Sequence, residues 1–177
     1  MGTLPVCAQV DPVGKEPAID LQGAADGWVP LAEAGRAPVL REVTMEHEPD
    51  VVRVKVALPG FSHTARKESG ATYRELASPG WSTALEPGRP AVPMKTTLLE
   101  MPRGVVPVVR ITNLVERRIK GLSVWPAQPP LPDVSPQPPA PPFQRDTAYY
   151  AEDVYHQKTP VRSQEIAGLR NRRLLAI

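Results

Sequence analysis

The sequence predicts an all-β protein, an antiparallel β-sandwich of the jelly-roll kind with long proline-rich loops. The chain has 23 prolines in 177 residues, and proline confines long helices to few places because it removes a backbone donor and breaks helix interiors. Several short stretches alternate between apolar and polar residues, as half-buried strands do. Turn signals separate these stretches at intervals of roughly 8–12 residues, which is typical of sandwiches and barrels.

The composition bounds the class of protein. A chain of 177 residues is long enough to bury a core without a disulfide or a metal. The 21 basic and 19 acidic side chains give a net charge of +2, too small to steer nucleic acid or a membrane surface. Aromatic residues make up 5%, too few for a surface on which bases stack. We therefore expect no nucleic-acid partner.

No apolar run approaches the roughly 20 residues that a membrane-spanning helix needs. The first residues also lack the charged and then apolar order of a signal peptide. We expect a loose leader at residues 1–37, with a short strand near Gly27–Leu31, and a β-sandwich domain at residues 38–177.

The clearest strand is Val51–Leu58, in which apolar and charged residues alternate. Val52, Val54 and Val56 share one face, and the residues between them are charged. Alternation with β-branched residues predicts one face on a core and one in water. Pro59 and Gly60 then end the strand.

The remaining strands are predicted in chain order from alternation and from the turn residues that bound them. They are Val39–Met45, Ala71–Ala77, Thr96–Glu100, Val105–Val115 and Leu122–Trp125. Pro107 places the fourth of these at a sheet edge or a bulge. The polar segment Phe61–Gly70 is predicted to connect two strands. The charged segment Glu116–Lys120 is predicted to turn the chain or to start a brief helix.

Residues 126–142 contain nine prolines and are predicted to run extended as a surface loop without ladder hydrogen bonds. The loop contains Pro-x-x-Pro patterns that aromatic-lined grooves bind, but a stiff connection that packs on its own sheet is the favoured interpretation. Phe143–Tyr155 is predicted to be a loop that packs its tyrosines. For residues 161–177 a short helix and a strand both fit, with a strand beginning at Arg172.

No motif for catalysis, metal binding or a cofactor is evident. The three histidines, His47, His63 and His156, lie far apart, whereas zinc ligands usually occur in close pairs. The single cysteine, Cys7, has no neighbour that would activate its thiol. We therefore expect no metal, no cofactor and no enzymatic activity.

Proline and glycine punctuation in a fixed order resembles a known family. After Gly70–Tyr73 and Leu76–Gly80 come Gly88-Arg89-Pro90-Ala91-Val92-Pro93 and Met101-Pro102-Arg103-Gly104. Then follow Pro126, Pro129 and Pro130, a tyrosine-rich segment, and Gly168 with Arg170. This order is similar to the N-terminal propeptide of gingipain-type, caspase-like cysteine peptidases, over about residues 50–177.

The resemblance implies an all-β prodomain that covers and inhibits a caspase-like peptidase domain, in cis or in trans, and helps it fold until proteolysis removes it. In arginine-specific members a basic side chain enters the specificity pocket. The candidates for that side chain here are Arg103, Arg117, Arg118 and Arg145. The resemblance also implies a secreted or cell-envelope location.

Two departures from the family pattern are present. Val92 replaces the Leu-like residue of the first proline element, and the chain stops at Ile177, where the family continues with a further strand and the peptidase. We therefore expect the carboxyl-terminal end of this domain to be truncated. The alternative function is a free-standing module for adhesion or carbohydrate binding, for which Trp81 and Trp125 are the candidate residues. A third hypothesis, an enzyme that uses Cys7, is disfavoured by the surroundings of that thiol.

Overall fold

Twelve strands and one short helix make up the regular structure of the residues that the computed structural model describes, which are 9–31, 43–48, 51–102, 104–152, 161–169 and 172–177. The strands are β1 (Gln9–Asp20), β2 (Gly27–Pro30), β3 (Val43–Glu48), β4 (Val51–Val56), β5 (Gly60–Glu68), β6 (Ala71–Ala77), β7 (Ser82–Thr83), β8 (Pro93–Met94), β9 (Leu98–Met101), β10 (Arg110–Lys120), β11 (Gln164–Leu169) and β12 (Arg172–Ala176). The helix α1 spans Thr147–Tyr150. The prediction of an all-β protein is confirmed.

The chain divides into two units. The first consists of Met1–Ile19, Lys95–Arg118 and Val154–Ile177, and the second of Asp20–Met94 and Ile119–Asp153. One domain at residues 38–177 after a leader at residues 1–37 stays a prediction.

The second unit is built around the antiparallel sheet β2-β5-β6. A two-residue turn joins β5 to β6, and Glu68 pairs with Ala71 across it. Ser69 and Gly70 both have positive φ, of 50° and 79°, which is the geometry of a type I′ turn and matches the twist of the two strands. The core of this unit is formed by buried hydrophobic side chains. They are Leu21, Val29, Phe61, Tyr73, Leu76, Ala91, Trp125 and Ala127.

The first unit contains the three-stranded sheet β11-β12-β9 and the pair β1-β10. β12 lies in the middle of its sheet and pairs antiparallel with both neighbours. Leu175 in β12 and Met101 at the end of β9 are buried. Because β12 forms hydrogen bonds along both of its edges, its pairing with β11 and its pairing with β9 both fix where its side chains lie.

Several sequence predictions are confirmed in this region and in the second unit. The strands near Gly27–Leu31, at Ala71–Ala77 and from Arg172 are present, and β9 matches the predicted Thr96–Glu100 within two residues. The proline-rich segment after Pro126 has no regular structure and is mostly exposed.

Other predictions are wrong. The polar segment Phe61–Gly70 contains β5, whose first half alternates inward, so that Phe61 and His63 are buried. The predicted strand Val105–Val115 begins only at Arg110, beyond Pro107, and continues through Glu116–Lys120, which neither turns nor forms a helix. Within residues 1–37, where we predicted a strand only near Gly27–Leu31, β1 is a further strand.

The valine face predicted for Val51–Leu58 is not a core face. Val52 and Val56 are 41% and 47% exposed. In the described part of the chain, β4 pairs only with β3, in a two-stranded sheet, and a hairpin of two strands buries little by itself. In the same part of the chain, no helix is long and apolar enough to cross a membrane.

Candidate functional site

The turn that follows β9 is held by one arginine side chain of the first unit. Arg173 in β12 lies opposite Met101, the last residue of β9. Its Nη1 donates to the carbonyl oxygen of Pro102 at 3.2 Å and to that of Val105 at 3.0 Å. One guanidinium therefore ties the backbone on both sides of positions 103 and 104. The candidate Arg103 itself lies outside the described residues.

The same guanidinium is oriented by a carboxylate. Arg173 Nε donates to Glu165 Oε1 at 2.8 Å. Glu165 lies opposite Leu175, two residues from Arg173, so both side chains stand on one face of the sheet. The hydrogen bond from Arg173, aided by its charge, lowers the pKa of Glu165 below the ordinary 4.5, against a smaller opposing effect of desolvation. The reciprocal hydrogen bond raises the pKa of Arg173, so both groups stay ionised at neutral pH.

An exposed apolar segment, Val105–Val109, connects this turn to β10 and belongs to no strand. Val106 is 82% exposed and Val108 is 77% exposed. Pro107 and Val109, which alternate with them, are half-buried. Alternate side chains therefore project outward, as they do from an extended peptide. Val106 and Val108 are therefore water-exposed valines on a segment that belongs to no strand.

The proline motifs meet in the second unit. Pro90 and Pro126 form an antiparallel bridge, and Pro126 is fully buried. Ala91 N donates to Trp125 O at 2.9 Å, and Ala127 N donates to Arg89 O at 2.7 Å. The two proline elements, which are far apart in sequence, are thus adjacent backbone segments.

Gly88 is required by the close approach of another segment. Asp146 N donates to Gly88 O at 2.9 Å, and Gly88 N donates to Ala127 O at 2.8 Å. The φ of Gly88 is +83°, and a Cβ at this position would lie 3.1 Å from Asp146 N. Both the backbone conformation and the space favour glycine.

Aromatic side chains pack around this centre. The ring centroid of Tyr73 lies 5.7 Å from that of Trp125, 5.9 Å from Phe143 and 6.3 Å from Tyr150. The Tyr150 hydroxyl donates to Val124 O at 2.6 Å. Trp125, which is 7% exposed, is a core residue, as the sequence analysis favoured over a carbohydrate site. Trp81, the other candidate for carbohydrate, is half-buried.

The candidate Arg145 is part of this aromatic packing. Its guanidinium carbon lies 4.8 Å from the centroid of Tyr150 and 5.8 Å from that of Tyr73. The next residue, Asp146, caps α1, and its Oδ1 accepts from Tyr149 N at 3.0 Å. The backbone that carries Arg145 is therefore fixed by α1, and its charge lies against π faces.

The candidates Arg117 and Arg118 lie within β10, not on a loop. Successive residues of a strand point to opposite faces, and Arg117 is half-buried whereas Arg118 is exposed. Arg117 and Arg118 therefore point to opposite faces of β10.

The remaining residues of the family pattern are dispersed. Pro93 pairs with Thr83 between β8 and β7, and Gly168 lies in β11 next to its register shift. Pro129 is half-buried and Pro130 is exposed at the start of the proline-rich loop. Arg170, like Cys7 and His156, lies outside the described residues.

The other two histidines lie on different strands. His47 in β3 pairs with Val52, and His63 in β5 is buried opposite Leu76. Where side chains are described, no three of the residue types His, Cys, Asp and Glu are grouped so as to hold a metal ion.

Sequence reasoning missed Glu165 and the contact of Arg173 with the turn after β9. The turn contact of Arg173 joins residues separated by 71 positions, and no local motif signals such a pairing. Only the basic run around Arg172 and Arg173, which the sequence analysis did not connect to the turn, pointed to this region.

No family model and no curated protein matches the sequence. A solved structure, described as giving structural insight into zymogenic latency of gingipain K from Porphyromonas gingivalis, matches the fold with a TM-score of 0.66. The match covers 85% of this chain and 83% of that chain, at 21% sequence identity. The resemblance inferred from the proline motifs is thus confirmed at the level of the fold.

Proposed function

We propose that this chain is a pro-segment that covers and inhibits a gingipain-type, caspase-like cysteine peptidase until proteolysis removes it. The similarity of fold to a gingipain K structure concerned with zymogenic latency supports the proposal. The ordered proline motifs, two of which meet at the bridge between Pro90 and Pro126, support the same resemblance from the sequence.

The observation that carries the proposal is the turn after β9 and the exposed segment that follows it. Proteins that bind extended peptides use backbone hydrogen bonds for affinity and pockets for alternate side chains for specificity. Val106 and Val108 project in this alternating manner. Arg173 holds the turn that precedes them. We propose that this segment enters the cleft of the peptidase.

Arg103 is the side chain that we propose for the specificity pocket. It follows Pro102 directly and precedes the exposed segment. A guanidinium can pair with a pocket carboxylate through two parallel hydrogen bonds. Arg145 is less suited to this role because it already packs on Tyr150, and Arg117 and Arg118 are less suited because they lie within β10.

Inhibition by such a segment needs no catalytic group in this chain. A peptide that binds the cleft without aligning its carbonyl for attack excludes the substrate from the cleft. The peptide itself is cleaved slowly, because its own activation barrier stays high. The peptidase partner would be joined in cis or bound in trans. Binding only the folded peptidase stabilises it by mass action, which is how the segment would help folding. A secreted or cell-envelope location belongs to the same proposal.

A titration tests the proposal. The purified chain is added to the catalytic domain of an arginine-specific gingipain, and hydrolysis of an arginyl peptide substrate is followed. We expect inhibition that is complete at one equivalent and competitive with substrate. Full hydrolysis at a large excess of the chain would refute the proposed function.

A further inference from the structure

We propose that the proline-rich loop of the second unit presents residues 138–142 as a preformed polyproline ligand for a protein whose binding groove is lined by aromatic side chains. These residues are called the proline arm below. The proposal goes beyond the proposed function, because the proline arm lies in the second unit and the turn after β9 lies in the first. Either one can therefore hold without the other.

The sequence of residues 137–142, Gln-Pro-Pro-Ala-Pro-Pro, leaves the backbone little freedom. Four of these residues are prolines, whose rings fix φ at about −65°. Gln137 and Ala140 each precede a proline and are therefore held in extended or polyproline conformations. The two proline pairs stand three residues apart, which is one turn of a polyproline II helix. The pairs therefore repeat along one side of the arm.

The structure leaves the proline arm open to solvent. Residues 130–142 are all exposed, and no backbone hydrogen bond between described residues involves them. The sequence analysis favoured a stiff connection that packs on its own sheet, whereas these residues do not pack on a sheet. Only Ala140 in the arm has a backbone N–H, so the arm offers a partner proline rings and carbonyl oxygens.

Both ends of the loop are anchored in the second unit. The side-chain amide of Gln128 bonds the backbone of Gln144 twice, since its Nε2 donates to the carbonyl oxygen at 2.9 Å and its Oε1 accepts from the backbone nitrogen at 2.9 Å. The ring centroid of Phe143 lies 5.2 Å from that of Trp125, which is buried. The base of the loop is therefore closed while the arm stays exposed. A ligand that is already held in its bound conformation loses less freedom on binding.

The chemistry of the arm indicates the groove that fits it. Polyproline segments dock in grooves lined by aromatic side chains, and the indole N–H and the tyrosine hydroxyl of such a groove can donate to the carbonyl oxygens of the ligand. Asp133 is the only charged residue among residues 126–144. Recognition therefore depends on rings and carbonyl oxygens, and the affinity should vary little with salt, which screens only charge interactions.

The main experiment uses three domains with aromatic-lined grooves as probes, one each of the WW, SH3 and EVH1 types. Binding of each probe to the wild-type chain is measured by calorimetry at low and at high salt. We expect at least one probe to bind, with an affinity that changes less than about twofold between the two salt concentrations. Absence of binding by all three probes, or binding that high salt abolishes, would overturn the proposal.

A double variant, Pro138→Ala with Pro141→Ala, tests the proline arm. The matched control is Pro130→Ala with Pro132→Ala, from the other proline cluster of the loop, where Pro129 is half-buried. We expect the first double variant to bind the probe at least about tenfold more weakly and the control to bind it within about twofold of wild type. The reverse order would overturn the assignment to residues 138–142.

The anchored base is tested by Gln128→Ala, which removes both hydrogen bonds to Gln144. Circular dichroism confirms that the variant is folded, and a synthetic peptide of residues 126–144 is the reference. We expect the affinity for the probe to fall about three- to tenfold, towards that of the free peptide. An affinity equal to that of wild type would show that the closed base does not preorganise the arm.

Two further measurements distinguish this partner from other occupants of the arm. We expect the chain saturated with probe to inhibit the gingipain domain normally, and loss of inhibition would instead place the loop in the peptidase interface. Self-association of the chain alone, if the variant of Pro138 and Pro141 abolished it, would make a second copy the occupant and overturn the proposal. A chain that binds the probe through the proline arm but fails to inhibit the gingipain domain would refute the proposed function and leave this proposal standing.

Discussion

Arg173 and Glu165 form an ion pair across neighbouring strands, with Nε of the arginine 2.8 Å from Oε1 of the glutamate. The pair lies beside the turn after β9, whose two carbonyl oxygens bind the same guanidinium. The sheet β11-β12-β9 thus supports the turn through a single charged side chain. The side chains are 31% and 46% exposed, so the pair contributes to the order of the turn more than to overall stability.

This pair predicts an acid dependence of the turn. The pKa of Glu165 is lowered in the folded chain from its ordinary 4.5, so the stabilisation that it adds is fully present above that value and is lost as the pH falls through the lowered pKa. We expect exchange of the Arg173 Nε proton with water, corrected for its intrinsic rate, to accelerate below about pH 4.5, because that proton is donated to Glu165. In Glu165→Gln this acceleration should disappear. An identical pH profile in both proteins would contradict the assignment.

The exposed valines predict a binding defect without a folding defect. Val106→Asp places a charge where the side chain is 82% exposed, so the melting temperature should hardly change. A charge in an apolar subsite of the cleft should weaken inhibition of the gingipain domain at least tenfold, since burying an unpaired charge is costly. Val134→Asp, at a position that is 57% exposed in the proline-rich loop, is the matched control and should inhibit normally. A Val106→Asp chain that inhibits as well as wild type would exclude this segment from the interface.

Arg103 predicts the largest single effect on inhibition. Arg103→Ala removes the guanidinium that we place in the specificity pocket, and loss of one partner of a buried charge pair costs about 2–5 kcal/mol. The inhibition constant should therefore rise by about 30-fold to several thousandfold. Arg118→Ala in β10 is the control and should leave inhibition unchanged. If Arg118→Ala were the damaging change, the choice among the candidates would be reversed.

We expect Gly88→Ala to lower the free energy of unfolding by more than its positive φ alone would, because Asp146 lies close to this position. Gly88→Ala imposes positive φ on alanine and brings its Cβ to 3.1 Å from Asp146 N. Gly70→Ala imposes a similar φ with nothing within 4 Å. The conformational cost is about 1–2 kcal/mol in each, and crowding should add about 1–3 kcal/mol at Gly88. Urea unfolding measures both, and equal free energies of unfolding would show that the contact with Asp146 is unimportant.

In contrast to the changes at Arg103 and Val106, we expect a substitution of Arg145 to lower stability slightly and to leave inhibition normal. Arg145→Met removes the cation that lies over Tyr150 and Tyr73, a contact that contributes about 0.5–1 kcal/mol at an exposed site. Arg118→Met should change the free energy of unfolding by less than about 0.5 kcal/mol. Loss of inhibition in Arg145→Met, with stability unchanged, would make Arg145 the better candidate for the pocket.

The strand Ala71–Ala77 was predictable because Gly70 precedes it and Pro79 and Gly80 follow it. Strand β5 was missed because only its first residues are buried, and the rest of it consists mostly of charged and polar side chains. The valine-rich segment before β10 was predicted as a strand because valine favours strands, yet the strand begins beyond Pro107. The valine face of β4 was assigned to a core. The alternation of valine with charged residues shows which side chains share a face, but it does not show whether another sheet or a helix packs on that face.

The candidate site was predictable only in part. The motif Met101-Pro102-Arg103-Gly104 identified the turn, because proline and glycine punctuate the chain there. The support of the turn by Arg173 was not predictable, since it depends on the register of β12 with β9. Likewise, Arg145 resembled any charged loop residue until its stacking on Tyr150 was seen.

The central claim, that this chain covers the active-site cleft of a peptidase, is tested most directly by competition for that cleft. The affinity of the chain is measured by calorimetry for an arginine-specific gingipain catalytic domain, first free and then with its active-site cysteine alkylated by an arginyl chloromethylketone that fills the cleft. We predict binding with one-to-one stoichiometry to the free domain and affinity at least a hundredfold weaker for the blocked domain. Equal affinity for the two forms, or no binding to either, would contradict the account.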